Sequence, residues 1–558
     1  MWFSPVLFSI LAPYVTHAVD TPTTILLASP RLPQGASKPI VNNFVSLSIA
    51  IHWFQDYTRQ GSNASQPNTF TRNLLNSLTE STSVAPQIRI GGTSADRTTY
   101  VPDQEETIKT VTGDNGIPLN VTLNERWFRQ CFEDASFPPG TKFIFDLPLM
   151  RNDSGAIDNT VRGAQWALGA IREERFMAFE IGNEEDLYPG QGVTPRSWTI
   201  IGYVERWRRF AGAILERVVK PSKLDSTKKW FQGLVFAGLG YNPDWTTQTA
   251  FAAGINEDGL LKSVSLHNYP AGSAPWVTLG RTFMNHGTIV ANISQVNDDL
   301  EFLQSSPETW DLDFVLGETN IDFVNLKMEQ FEGVLGSALW TIDYILYAAF
   351  SNVARVYLHQ GTTFGYAAWQ PVPVNDIQPK VRPPWYGLKF AAEAIGFHHG
   401  PIQIAIIAPT TNESTDQLSV YAIYESFALA RIAIINFNEW NATTPYTRPT
   451  INFRIALGIR GTKATGRRLT APEGASADTG LSFGGVVWNY STNGIPENVD
   501  DVHGNIALEA DSEGVLEVGV KSSEAMLPSG YGDRFESKVY LFLFEGAGSN
   551  PAGVGATM

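Results

Sequence analysis

The run Phe176-Met177-Ala178-Phe179-Glu180-Ile181-Gly182-Asn183-Glu184 is apolar, of strand length, and ends on a carboxylate. Phe314-Val315-Leu316-Gly317-Glu318-Thr319-Asn320 repeats the pattern further along the chain. A carboxylate at the end of a buried strand is a poor choice for packing. In a barrel of parallel strands, however, the strands' carboxyl ends are where reactive groups sit. Working outward, apolar runs of strand length occur at 44–51, 87–91, 142–147, 175–183, 233–237, 263–267, 313–317 and 354–359. Helix-length stretches separate them, and 198–219 and 333–350 show aromatic and aliphatic residues at helical spacing. Strands alternating with helices make βαβ units and a parallel sheet. Eight of them predict an α/β fold, a closed (β/α)8 TIM barrel over residues 44–395.

Beyond residue 396 the texture changes to alternating stretches at 418–424, 430–437 and 538–544, punctuated by glycine and asparagine. They read as half-buried antiparallel strands and predict a β-sandwich domain over 396–558. A strand-like run at 23–28 precedes the barrel, so the segment 19–43 is expected to join that C-terminal sheet. The tail from 546 is glycine-rich and is expected to be disordered. Residues 1–18 read as a secretory signal peptide, apolar and followed by small residues up to Ala18, although a charged leading region is missing. A buried N-terminal strand is the competing reading. Sequons begin at Asn63, Asn120, Asn152, Asn292, Asn412, Asn441 and Asn489, which suits a secreted, extracellular glycoprotein carrying N-glycans.

The chain of 558 residues has a formal net charge of −16 and no basic run, which argues against nucleic acid. The same charge disfavours a heavily sulfated polyanion as partner. No second stretch is apolar enough to cross a bilayer. Cys131 is the only cysteine, so no intrachain disulfide forms. No His/Cys cluster has metal-ligand spacing, and neither a metal nor a cofactor is expected.

Two carboxylates on different strands are what glycoside cleavage needs, one to protonate the leaving oxygen and one to attack. Glu184 suits the acid, given partial burial and a nearby carboxylate to raise its pKa. A solvated acidic loop over Glu184, Glu185 and Asp186 is the competing reading. Neighbouring strand residues face opposite ways, so a bend is required if Asn183 is to meet a sugar hydroxyl beside Glu184. Glu318 suits the nucleophile, which must stay ionised and needs hydrogen-bond donors. Tyr269, at the end of the sixth strand, is the best donor, with a packing aromatic at the rim as its alternative. His267 is balanced between a functional and a core histidine. Gly91-Gly92 lets backbone approach a ligand and Asp96 can accept from sugar hydroxyls, or can instead cap a tight turn. Arg89 and Glu180 are expected to form a buried ion pair beneath the site.

Arg89-Ile90-Gly91-Gly92-Thr93-Ser94-Ala95-Asp96-Arg97, Phe179-Glu180-Ile181-Gly182-Asn183-Glu184 and Leu316-Gly317-Glu318-Thr319-Asn320 resemble glycoside hydrolase family 79 of clan A. His359-Gln360-Gly361-Thr362, Tyr366 and Trp369-Gln370-Pro371 extend the resemblance. The family holds β-glucuronidases, including fungal enzymes of arabinogalactan trimming, and heparanases. The resemblance implies Glu184 as acid/base, Glu318 as nucleophile and retention of configuration. It departs at Glu185, where a proline is usual, and at Ile321, where a serine is common. The expectation is a retaining, exo-acting β-glucuronidase acting on carbohydrate that bears terminal glucuronic acid. Its uronate is expected to be read by neutral donors, Tyr366 and the backbone of 321–325. An endo-acting heparanase or hyaluronan-type hydrolase, and a carbohydrate-binding barrel without catalysis, are the alternatives.

Overall fold

The computed structural model describes residues 23–531 apart from 61–62, 114–115, 226–227, 241, 273, 323–327, 398–399, 411–414 and 500–503. Eight strands, each hydrogen-bonded in parallel to its neighbours, close into one barrel. They are β1 (Val45–Ala50), β2 (Ile88–Gly91), β3 (Phe143–Leu147), β4 (Phe176–Ile181), β5 (Phe231–Phe236), β6 (Leu261–Asn268), β7 (Asp313–Thr319) and β8 (Arg355–Gln360). These are the eight runs read from the sequence, with β5 and β6 each starting two residues early. Strands covered on both faces read as continuous apolar runs, which is why they were legible without strict alternation.

Alternation still decides what fills the barrel. Phe179 and Ile181 of β4 join the large core outside the sheet, whereas Ala178 packs with Ile144, Val315 and Tyr357 in a small separate cluster. Two residues on from Ala178, Glu180 meets Arg89 and Gln232 in a buried polar layer. Chemistry is thus stacked along the strands, with an apolar plug first, then a polar floor, then the site at the carboxyl ends.

The helix Leu335–Phe350 is buried all round because the barrel lies on one side and the strand Ile402–Ile406 on the other. A large sheet includes Ile402–Ile406, Leu418–Glu425, Ala428–Asn436, Glu524–Ser529 and Lys463–Thr470, paired antiparallel in that order. A three-stranded sheet shares a core with it through Leu26, Phe453, Leu516, Val420 and Ile434. In that smaller sheet Thr23–Leu27 pairs in parallel with Thr450–Ala456, which pairs antiparallel with Val515–Lys521. The sheets are therefore antiparallel save for this strand from the chain's beginning. A small sheet of Thr98–Tyr100, Ile108–Thr112 and Pro118–Leu123, inserted after β2, was not legible in the sequence. The leader at 1–18 and the strand expected at 538–544 lie outside the described residues. No described helix is long and apolar enough to cross a membrane.

Candidate active site

Past the end of β4 the backbone bends. Gly182 (φ +93°) and Glu184 (φ +54°) both take left-handed conformations. Glycine does so freely, whereas a side chain there costs about 1–2 kcal/mol. The Gly182 N–H donates to Leu147 O (2.7 Å) and the Glu184 N–H to Val235 O (2.9 Å), so both neighbouring strands hold the bend. Leu234 and Val235 are themselves at positive φ, where the β5–β6 register shifts. This is the bend that Asn183 and Glu184 require to reach one cleft. Glu185 and Asp186, which follow, are buried, so the solvated acidic loop is excluded.

Glu318 stays on its strand and is surrounded by donors. Tyr269 Oη donates to Oε1 (2.8 Å), Arg89 Nη1 donates to Oε2 (2.6 Å), and His359 Nδ1 lies 3.3 Å from Oε2. Arg89 is fully buried and also reaches Glu180 through Nε (2.5 Å), Ser48 (3.1 Å) and Asn183 Oδ1 (3.0 Å), with Asp146 at 3.6 Å. The ion pair read beneath the site is present, but Arg89 also touches Glu318 itself. Gly91 and Gly92 serve this arrangement. A Cβ at Gly91 would lie 2.7 Å from the Arg89 guanidinium carbon, and one at Gly92 would lie 3.4 Å from Glu318 Oε2.

Glu184 Oε1 lies 3.0 Å from His267 Nδ1. One ligand atom each of Glu184, His267 and Glu318 fall within 4.8 Å of one another, which puts the two carboxyl groups face to face. Burial, then the Glu318 charge, push Glu184 up to about 8. Burial also acts to raise Glu318, but His359, His267, Arg89 and the Tyr269 hydrogen bond outweigh it and hold it at about 2. Burial keeps His267 and His359 down at about 4, so both are neutral at neutral pH. Arg89 and Tyr269 are then the lasting support of the Glu318 charge. Two carboxyls pushed apart in this way can serve one as a proton donor and the other as an ionised nucleophile.

Asp96 is fully buried and does not face a sugar. Its Oδ1 accepts the N–H groups of Leu149 (2.7 Å) and Met150 (2.8 Å), and its Oδ2 accepts the Tyr188 hydroxyl. It ties together the loops that follow β2, β3 and β4 and supports the turn that carries Glu184. Tyr366 lies beside the site, its ring 6.5 Å from Tyr269 and 6.4 Å from His359. Of the backbone expected to read a uronate, Ile321 and Asp322 are buried and 323–327 lie outside the described residues. Sequence reasoning missed His359 and His52 as site neighbours. His359 is the penultimate residue of β8, so the signal that found Glu318 was available for it; His52 bonds Ser94 (2.8 Å) and feels His359.

Residues 420–527 match the model of the glycosyl hydrolase family 79 C-terminal beta domain. A beta-glucuronidase of Aspergillus niger is 29% identical over 544 residues, covering 93% of this chain and 97% of that protein. A beta-glucuronidase of Neurospora crassa is also 29% identical, covering 82% and 86%. Among solved structures, a 4-O-alpha-L-rhamnosyl-beta-D-glucuronidase from Fusarium oxysporum superposes with a TM-score of 0.70 at 20% identity, covering 91% of this chain and 100% of that one. A family 51 arabinofuranosidase from Xanthomonas axonopodis gives 0.58 at 12% over the same shares. At those identities the structural likeness speaks for the fold alone.

Proposed function

We propose that this chain is a member of glycoside hydrolase family 79 and a secreted, retaining, exo-acting β-glucuronidase. The observation that carries the mechanism is the facing pair Glu184 and Glu318, within 4.8 Å and of opposite protonation. Retaining enzymes set their carboxyl groups about 5–5.5 Å apart, leaving no room for water between the sugar and the nucleophile. In the proposed reaction Glu318 attacks the anomeric carbon while Glu184 gives its proton to the leaving oxygen. A glycosyl ester to Glu318 forms, and Glu184, now a carboxylate, takes a proton from the water that cleaves it. Tyr269 and Arg89 hold Glu318 ionised and aimed. Asn183, with its carbonyl taken by Arg89, has its amide N–H2 to offer a sugar hydroxyl. Tyr366, whose ring lies beside those of Tyr269 and His359, is the proposed donor to the C5 carboxylate.

The test is turnover of chromogenic β-glucuronide beside the matching β-glucoside and β-galacturonide, with the anomer of the first-formed product followed by NMR. Preference for the glucuronide with retained β configuration is the expected result. First-formed α product would replace double displacement by inversion, and cleavage confined to internal linkages of a polymer would replace the exo reading.

A further inference from the structure

Glu185 follows the acid candidate directly and plays no part in the reaction above. Its side chain is fully buried, and neither carboxyl oxygen has a hydrogen-bond partner in another residue. It rests on the bend itself, since a Cβ built on Gly182 would lie 2.3 Å from Glu185 Oε1 and 2.9 Å from Leu149 Cβ. The charged groups around it are mostly acids. Asp96 faces it from the loop after β2, Asp146 from β3, and Asp186 from its own turn. Tyr188 of that turn and Tyr203 of the helix Ile200–Ile214 also feel it, and both are phenols. Arg206, on the same helix, is turned to the Trp198 ring, 4.6 Å from its centroid, and responds to Tyr188 and Asp96.

An unpaired carboxylate buried among other acids is too costly to persist, so the group must keep its proton or leave. We propose that Glu185 is a positioning residue, a neutral carboxyl wedged against Gly182 that locks the left-handed bend and so aims Glu184. The lock holds only while Glu185 carries its proton, which ties the order of the acid turn to pH. Burial raising the Glu185 pKa points the same way. Its structural arm stands whatever the substrate; only the kinetic arm rests on Glu184 being the acid/base.

The experiment compares the full-length protein with Glu185→Gln and Glu185→Ala. Glutamine reproduces the neutral carboxyl in shape and cannot ionise. At pH 5 it should keep kcat on a chromogenic β-glucuronide within about threefold of the parent, whereas alanine, leaving the bend unsupported, should lose more than tenfold. Hydrogen exchange of a peptide spanning 182–193 should match between parent and glutamine variant at pH 5. At pH 8 it should be faster in the parent. Equal exchange at both pH values, a glutamine variant as impaired as alanine, or one that fails to fold at pH 5 would each overturn the proposal. If no glycoside is cleaved by any form, the exchange result alone decides.

Discussion

Glu184 and Glu318 differ in what surrounds them, and that difference predicts how their variants behave. Glu318→Gln removes the atom that forms the covalent intermediate, so turnover should vanish on every substrate. Glu184→Ala removes only the proton shuttle, expected to cost about 10²–10⁴ in rate on a poor leaving group. An activated aryl glucuronide, which departs unprotonated, should still load Glu318, and external azide should then rescue the rate. Identical responses of the two variants to azide would refute the assignment. Arg89 gives a second test. Lysine keeps the charge but cannot bridge Glu318, Glu180 and Asn183 at once. Arg89→Lys should therefore shift the acid limb of kcat/KM upward as Glu318 loses support, with an unmoved limb counting against it. Arg89→Met leaves buried carboxylates uncompensated and should cost about 3–5 kcal/mol of stability, read by denaturant unfolding. The glutamates were legible because a charge ending an apolar run has no packing use. The contact from Arg89 to Glu318 was not, because it joins β2 to β7 across the barrel, a distance no local pattern records.

At the scale of elements, the eight barrel strands were legible because each is buried on both faces and must be apolar throughout. The inserted sheet after β2 was missed because Ile108–Thr112 is mostly exposed and Pro118–Leu123 buries only Pro118, Val121 and Leu123, so neither reads as a continuous apolar run. Asp96 misled for a related reason. A carboxylate in a glycine-rich loop suits a sugar or a backbone equally, and only the fold brings the Leu149 and Met150 N–H groups to it. The loop after β8 carries the specificity prediction. Tyr366 is set among Tyr269, His359 and Phe364, its side chain hydrogen-bonded to Tyr269, and the proposal is that its hydroxyl also reaches the substrate carboxylate. A hydrogen bond to a charged group is worth about 1.5–3 kcal/mol. Tyr366→Phe should thus lower kcat/KM for a glucuronide on the order of tenfold to a hundredfold and leave a glucoside nearly unchanged. An equal loss on both would make Tyr366 a packing residue.

At the scale of the whole molecule, the titratable groups buried among the described residues fix the sign of its pH dependence. Burial raises Asp56 and Asp186 to about 6, Glu184 and Glu332 to about 8, and also raises Asp96, Asp146, Glu185 and Asp299. A carboxyl raised by folding holds a proton that the unfolded chain has released. Its stabilisation is complete below the unfolded value, about 4, and is lost as pH rises through the folded value. The buried imidazoles act in the opposite sense. Burial depresses His52 to about 3 and His267 and His359 to about 4, so their contribution is present above about 6.5 and is lost as pH falls toward 4. Between about pH 4.5 and 6 the four carboxyls raised to about 6 or 8 already outnumber the three imidazoles, and Asp146 and Glu185, raised well above the usual range, add to them, so the folded state holds the greater number of protons. Each unbalanced proton changes stability by about 1.4 kcal/mol per pH unit. Below about pH 4 the carboxyl effect ends, while the imidazoles and Glu318, held at about 2, go on losing stability. The formal charge of −16 adds self-repulsion on the neutral side. Thermal unfolding followed from pH 3 to 9 should show its highest Tm near pH 4–5 and a steady fall toward pH 8. A maximum at or above pH 7 would mean that these carboxyls are ionised in the folded protein, and with it the protonated state assigned to Glu184 would fail.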